Sequence, residues 1–365
     1  MTRIQWSLAK APKVLRINLK RKWWRFQIVI KSLFYNDFLN WGYVCDILME
    51  PMFWFVENFT ACLGPVFVVM GVVLTATIVY IAYYVGLPWW WNQSPLVTVI
   101  LLLVGNWLLA NVCFHYYMGT VMSAGYPPEG GLIPEAVSIC KKCIKPKPPR
   151  THHCSVCNKC ILKMDHHCPW LNNCIGHYNH RHFFLYLVYT VVGITFIMIF
   201  GVQLAYEEFF PDQDPELIGH PVRLNNSEII PVTESLEHLS EEERAEIERK
   251  AAETVAKDWR RRQIIYAGII CVCMFLALGA LTWWHAALIT RGETSIEARI
   301  NSTESQKYRA QGKFYQNPYD FGPRENWKLF LGIKDRSWWY VLLPSTHGPY
   351  GDGLTWRTIH DSKIS

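Results

Sequence analysis

Long stretches without charge alternate along this chain with shorter stretches crowded with it. Four apolar segments, residues 62–85, 96–117, 183–206 and 264–290, contain no Lys, Arg, Asp or Glu. Crossing a hydrocarbon core takes about 20 apolar residues in an α-helix. A buried helix of a water-soluble domain is rarely so long and so free of charge, so the pattern predicts a membrane α-helical protein with four transmembrane helices.

The intervening segments give the domain plan. An N-terminal region occupies 1–61. Spans one and two fill 62–117 around a short loop at 86–95. A polar insert covers 118–182. Spans three and four fill 183–290 around a loop at 207–263, and a C-terminal region covers 291–365. Nine Lys/Arg precede the first span, the loop 86–95 has none, the insert has eight and the tail from Arg291 has eleven. The loop 207–263 has eight basic residues against fifteen acidic ones. Cationic segments stay on the cytoplasmic side of a membrane. Both termini and the insert are therefore expected in the cytosol, with the loops 86–95 and 207–263 on the lumenal side. The run "WWWNQ" at 89–93 suits the tryptophan belt of a lumenal interface.

Smaller signals fit the same plan. Asn225, two residues before Ser227 in the large lumenal loop, is a glycosylation candidate. The stretch 235–259 reads as a charged, exposed helix. At 19–35 ("LKRKWWRFQIVIKSLFY") Trp23, Phe26, Ile30 and Leu33 share one helical face among cations. That suits a helix lying on an anionic membrane surface, or equally a basic anchor that only enforces topology. No short apolar run follows Met1, so no cleavable signal peptide is expected.

Composition agrees: 51% of residues are hydrophobic, 18% charged, and 17 are tryptophan. The net charge of +6 is mild, and no nucleic-acid partner is expected. The cysteines change the picture. Of twelve, seven fall between Cys140 and Cys174, while Cys45, Cys62, Cys113, Cys271 and Cys273 are scattered as packing residues would be.

The insert reads "CKKCIKPKPPRTHHCSVCNKCILKMDHHCPWLNNC" over 140–174. Two C-x-x-C knuckles, Cys140/Cys143 and Cys154/Cys157, are joined by Cys160, Cys168 and Cys174 and by His152, His153, His166 and His167. This is the donor set and spacing of structural zinc. Pro146, Pro148 and Pro149 argue against a helix between the knuckles. Metal is expected to supply most of the folding energy of so short and polar a segment. Two four-ligand sites need eight of these eleven donors. If each takes three cysteines and one histidine, one cysteine is left over beside imidazoles and an aspartate, the parts of an activated nucleophile. Counting does not say which thiol that is, and one all-cysteine site with an idle thiol satisfies the spacing as well.

"DHHCPW" (165–170), the upstream knuckles and Cys174 six residues beyond Cys168 together resemble the DHHC family of protein S-acyltransferases, or palmitoyltransferases. The resemblance runs over most of the chain. "TSIE" (294–297), just after the fourth span, is similar to the family's Thr-Thr-x-Glu element. "NPYDFGPRENWKLFLG" (317–332) is similar to its C-terminal motif. The wording of "SICKKCIKPKPPRTHHC" and "RGETSIE" is most similar to an endoplasmic-reticulum branch, with the Golgi as the alternative compartment.

The resemblance implies two structural Zn²⁺ ions. Cys140, Cys143, His153 and Cys160 would hold one, and Cys154, Cys157, His167 and Cys174 the other. Cys168 is then free to attack a long-chain acyl-CoA, with His166 as general base and Asp165 fixing its imidazole. The acyl group would pass to cytosolic cysteines of membrane-associated substrate proteins, in a ping-pong sequence. Ser295 stands where the family usually has a second threonine; its hydroxyl can still bond toward Asp165. Thr294, Glu297 and Asn326 would be supporting residues. Lys147, Arg150 and Lys163 are candidate contacts for CoA phosphates, against a plain role in topology and attraction to anionic membrane lipid. Gly193, Gly201 and Ala205 leave room for an acyl chain in span three, or simply let helices pack. Two other classes compete: a zinc-knuckle module for RNA or protein, and a transporter. The only histidines within the spans, His115 and His285, lie near span ends, which counts against a transporter.

Overall fold

The computed structural model describes residues 11–34, 41–128, 136–210 and 240–361. The Asn225 sequon lies outside the described residues. The chain forms two compact units, Met1–Cys62 and Leu63–Ser365. In the first, α1 (Ala11–Phe34) extends the expected amphipathic helix by two turns at its start, and Trp23 and Phe26 stack at 5.5 Å on its exposed aromatic face. This unit also holds the beginning of α2 (Trp41–Ile81).

Among the described residues four helical segments are long and apolar enough to cross a membrane: Cys62–Gln93, Pro95–Val121, His180–Phe209 and Glu248–Thr290. They agree with the four expected spans, and the differences have local causes. The segment 86–95 is helical rather than a loop. A π-helical turn over Ala82–Gly86 leads directly into α3 (Leu87–Gln93), and only Ser94 is extended before α4 (Pro95–Val121). Pro95 sits in the first turn of α4, where a missing N–H costs nothing, whereas Pro88 follows the π-helical turn inside a continuous helix. The Trp89 and Trp90 indoles then bond Glu207 and the Phe200 carbonyl, at the far end of α5 (His180–Phe209). The α5 helix starts three residues before the expected Phe183. The expected charged helix at 235–259 merges with span four into one 50-residue helix, α6 (Glu241–Thr290). No Gly or Pro interrupts its first 27 residues, and Arg260 pins them to Glu208 at 2.9 Å.

The helices α4, α5 and α6 pack side by side. Leu108 and Val112 meet Leu185 and Tyr189 in one buried cluster, and Ile81, Val85 and Leu204 form another. Outward residues such as Leu103, Val202 and Leu276 are exposed and apolar, as a lipid-facing surface requires.

Between α4 and α5 lie three two-stranded antiparallel hairpins: β1 (Ser138–Cys140) with β2 (Lys145–Lys147), β3 (His152–Cys154) with β4 (Lys159–Ile161), and β5 (His166–Cys168) with β6 (Asn173–Ile175). After α6 the chain forms α7 (Ser295–Ala310), α8 (Pro323–Leu331) and the short α9 (Trp339–Leu342). No hydrophobic or motif pattern signals that α9 folds back onto the spans. Its Leu342 and Val341 carbonyls accept hydrogen bonds from Trp107 of α4 and Tyr189 of α5, at 3.0 and 2.8 Å.

Candidate active site and metal centres

The three hairpins are copies of one unit. Cys140, Cys154 and Cys168 are fourteen residues apart and end the first strands β1, β3 and β5. Four residues after each, Ile144, Asn158 and Asn172 take the left-handed conformation that turns the chain back. In hairpins one and two the third residue after that cysteine is again cysteine, Cys143 and Cys157. In hairpin three it is Leu171. This fourteen-residue period is a sequence signal that motif counting missed, and it resolves the surplus of donors.

Each metal set joins one knuckle to the next hairpin. Cys140 and Cys143 converge with His153 and Cys160, and Cys154 and Cys157 converge with His167 and Cys174. The histidine and last cysteine of each set are cross-strand partners, His153 with Cys160 and His167 with Cys174. In the first set Nδ1 of His153 lies 3.7, 3.1 and 4.0 Å from the three sulfurs. In the second, Nδ1 of His167 lies 3.9, 3.3 and 3.6 Å from its three. Zinc with bonds of about 2.3 Å to sulfur and about 2.0 Å to nitrogen needs tetrahedron edges of roughly 3.5–3.8 Å. The donors and their spacing therefore fit zinc in both sets.

A third set of this pattern does not close. Leu171 replaces the second thiolate of the Cys168 knuckle and buries instead with Ile175, Phe183 and Leu187. Cys168 belongs to that apolar cluster, beside Tyr116, Tyr186 and Leu278 from α4, α5 and α6. Its thiol thus lies outside both four-donor sets and where three spans meet the hairpin module.

Several contacts fix it there. The Asn173 amide donates to the carbonyls of Gly119, Thr120 and Met122, which end α4, at 3.1, 3.2 and 2.8 Å. Asn179 receives Gly176 N–H and donates to Cys174 O. In α2, Gly64 lets the helix approach the turn of hairpin three so closely that a Cβ would collide with the Asn172 side chain.

His166 and Asp165 complete the constellation. The His166 Nδ1 bonds Asp165 Oδ2 at 2.6 Å, and its ring interacts with the Cys168 thiol. Burial opposes a cation at His166, but the bonds to Asp165 and Cys168 and their charges lift its pKa to about 9. Burial likewise opposes ionisation of Asp165, yet His180, His166 and His285 around it hold the carboxyl well below its ordinary range. This is a carboxylate–imidazole–thiol series.

The TSIE element holds this series from the C-terminal side. Thr294 caps α7 in a reciprocal box with Glu297. Ser295 donates its N–H to Asp165 Oδ1 at 2.8 Å and its hydroxyl to Oδ2 at 3.0 Å. Glu297 receives two bonds from Arg150, whose guanidinium also donates to Gly292 O and lies over the Tyr319 and Trp356 rings. The Arg150 charge is thereby spent inside the protein. The positive charge of Arg150 and its hydrogen bonds hold Glu297 below its ordinary pKa against burial. Asn326 bonds Thr290 O at the end of α6 and Asp320, and receives Phe321 N–H. Lys147 lies half-buried on β2. Lys163, half-buried with its ammonium near the Trp356 and Phe330 rings, is lowered to about 7 by burial and by Arg150.

Four helices long and apolar enough to cross a membrane, joined by a hairpin module with two four-donor metal sets and a thiol outside both, define a class: multi-pass membrane proteins with a cysteine-rich metal-binding insert. Comparison with known proteins makes this specific. A model of the DHHC palmitoyltransferase family matches residues 134–302. The chain is 41% identical over 341 residues to palmitoyltransferase ZDHHC16B of Danio rerio, covering 92% of this chain and 88% of the relative. It is 39% identical over 363 residues to palmitoyltransferase ZDHHC16 of Homo sapiens, covering 97% and 92%. A probable protein S-acyltransferase 16 of Arabidopsis thaliana is 31% identical over 223 residues, covering 61% of this chain and 63% of the relative. The chain belongs to the DHHC palmitoyltransferase family.

Proposed function

We propose that Cys168 is the residue that carries the acyl group in this protein S-palmitoyltransferase. One observation carries the reading. Leu171 occupies the place of a second thiolate, so the Cys168 sulfur escapes the metal sets that claim the other six cysteines of the module.

The chemistry follows from the neighbours. His166 takes the thiol proton, and Asp165 stabilises the resulting imidazolium. The Cys168 thiolate attacks the carbonyl carbon of a long-chain acyl-CoA and forms a new C–S bond. The bond to CoA sulfur breaks, and CoA leaves with the proton from His166. In the second half a substrate cysteine, as thiolate, attacks the acyl-Cys168 carbonyl, and Cys168 departs. Each step exchanges one thioester for another, so no energy source enters.

The two donor sets hold zinc in this reading, and its role is to staple the hairpins so that the loop bearing Cys168 is rigid. The apolar cluster of Tyr116, Tyr186 and Leu278 beside the thiol admits the acyl chain among the spans while CoA stays in water. Burial of the chain contributes about 0.8 kcal/mol per CH₂. Of the three cations expected to meet CoA phosphates, Arg150 is already engaged by Glu297, which leaves Lys147 and Lys163. Phosphate beside Lys163 would restore a full charge there. The substrates are membrane-associated proteins with cytosolic cysteines. The charge bias of the loops supports cytosolic termini, and the wording of the hairpin module supports the endoplasmic reticulum, with the Golgi as alternative.

The test is acyl-CoA labelling of purified wild type and Cys168→Ser, with zinc measured in parallel. The variant keeps two zinc ions per chain and loses the hydroxylamine-sensitive label. A variant that labels as well as wild type refutes the role.

A further inference from the structure

A further set of metal-ligating side chains surrounds Asp165, outside the two cysteine-rich centres. Its carboxylate, His180 at the start of α5 and His285 near the end of α6 are all buried, and their donor atoms lie within 4.8 Å of one another. His180 Nε2 is 3.8 Å from Asp165 Oδ1, and His285 Nδ1 is 4.0 Å from Oδ2. Both His180 ring nitrogens and His285 Nδ1 are buried without a hydrogen-bond partner. The His180 and His285 side chains are only 5% and 3% exposed, so bulk water does not serve them. The rings of Phe183 and Phe330 enclose His180, and those of Phe183 and His166 enclose His285. Buried polar atoms are nearly always partnered, so two orphaned nitrogens, His180 Nε2 and His285 Nδ1, converging on one carboxylate call for a bridging group.

The gaps discriminate between candidates. They exceed the limit of about 3.2 Å for a direct hydrogen bond. A water about 2.8 Å from both atoms of such a pair would be squeezed to nearly a right angle. An ion bound at about 2.1 Å spans the same gaps at roughly 130–145°, and a closure of about half an ångström brings the ligands to tetrahedral spacing. Two imidazoles and one carboxylate suit zinc or a similar divalent transition ion, whereas calcium and magnesium prefer oxygen alone.

We propose that Asp165, His180 and His285 form a third, exchangeable site for a divalent transition-metal ion, distinct from the two cysteine-rich centres, and that its occupation inhibits acyl transfer. Asp165 is the only residue shared with the catalytic series. Its Oδ2 bonds His166 Nδ1 at 2.6 Å. A cation on the same carboxylate neutralises the charge that stabilises the His166 imidazolium and draws the carboxylate away from it. The site also ties the hairpin module to α5 and α6, because its ligands come from all three. The inhibitory consequence rests on the roles of Cys168, His166 and Asp165 proposed above; the site itself does not.

The experiment equilibrates the full-length protein in detergent, with its cysteine-rich sites filled, against buffered micromolar zinc. Bound metal per chain is counted for wild type, His180→Gln and His285→Gln. Wild type should hold three ions and each variant two, the retained pair showing that the variant is folded. Cobalt taken up as the third equivalent should lack the thiolate charge-transfer absorption of the cysteine sites. Two ions in wild type, or a third that persists in both variants, overturns the site. In parallel, autoacylation of wild type should fall at least tenfold as the third equivalent binds, while His285→Gln does not respond to the same zinc. A third ion bound with acylation unaffected overturns the inhibition and leaves the site. A wild type that forms no acyl-enzyme even before the third ion is added removes the Cys168 reading and, with it, the inhibitory half of the proposal.

Discussion

The Arg150–Glu297 pair gives the most quantitative test of how the C-terminal region supports the site. Arg150 stands between hairpins one and two, and Glu297 is 147 positions later in the first turn of α7. The two side chains are only 6% and 10% exposed and meet at 2.6 and 2.5 Å in a two-pronged contact. Removing one partner of such a buried pair leaves the other charge stranded and costs about 3–5 kcal/mol. Glu297→Gln isolates the electrostatic loss, because glutamine can still accept the Thr294 N–H and preserve the helix cap. Arg150→Met strands the carboxylate and costs at least as much. The double variant has no stranded charge, so its loss should fall short of the sum of the singles by about 2 kcal/mol or more. The assay is denaturant- or heat-induced unfolding of the four proteins in one detergent, followed by tryptophan fluorescence. Autoacylation should follow the same order, since Ser295, which grips Asp165, sits two residues from Glu297. Strict additivity in the cycle would refute the claim that the pair acts as a buried unit.

Other outcomes follow from the same geometry. Ser295→Ala removes the hydroxyl bond to Asp165 but keeps the N–H bond, so autoacylation should fall about tenfold, the equivalent of one hydrogen bond worth about 1.4 kcal/mol; unchanged labelling contradicts that support. His166 is held cationic up to about pH 9 chiefly by Asp165 and Cys168. Its raised pKa means that the charge, and the proton available to departing CoA, is present below that pH and lost above it. Asp165→Asn should therefore move the alkaline fall of the acylation profile to lower pH, and an unmoved limb contradicts the pairing. Glu297 is held below its ordinary pKa, so the stability it contributes is present above about pH 4.3, the value of a free glutamate, and is lost as pH falls through the lower folded value; a melting temperature flat across that range argues against it. Cys157→Ser should release one zinc ion and abolish labelling, because that centre joins hairpins two and three.

Much of this was legible in the sequence because the physics is local. Spans show themselves by missing charge, and metal sites by donors at short fixed spacing. The helical 86–95 segment reads as a loop in the sequence because its lack of basic residues speaks to topology and not to backbone conformation. The reason Cys168 stays free is also written locally, in the Leu171 that interrupts the fourteen-residue repeat, but it becomes visible only once three hairpins are laid over one another. The engagement of Arg150 by Glu297, the return of α9 to the spans, and the convergence of His180 and His285 on Asp165 join residues more than a hundred positions apart or on different helices. No pattern of spacing carries such contacts. Arg150 shows the consequence: its charge in a basic insert suggested a phosphate contact, and only the fold reveals its buried acidic partner.

The proposed role of Cys168 requires one sulfur of the cysteine cluster to lie outside metal coordination and to become acylated. Mass spectrometry after incubation with palmitoyl-CoA tests it most directly, with the intact protein weighed under native conditions and its peptides mapped. The expected result is one acyl group, located on Cys168, on a chain that still carries both structural zinc ions. An acyl group on another cysteine of the module, or Cys168 found among the zinc ligands, would contradict it.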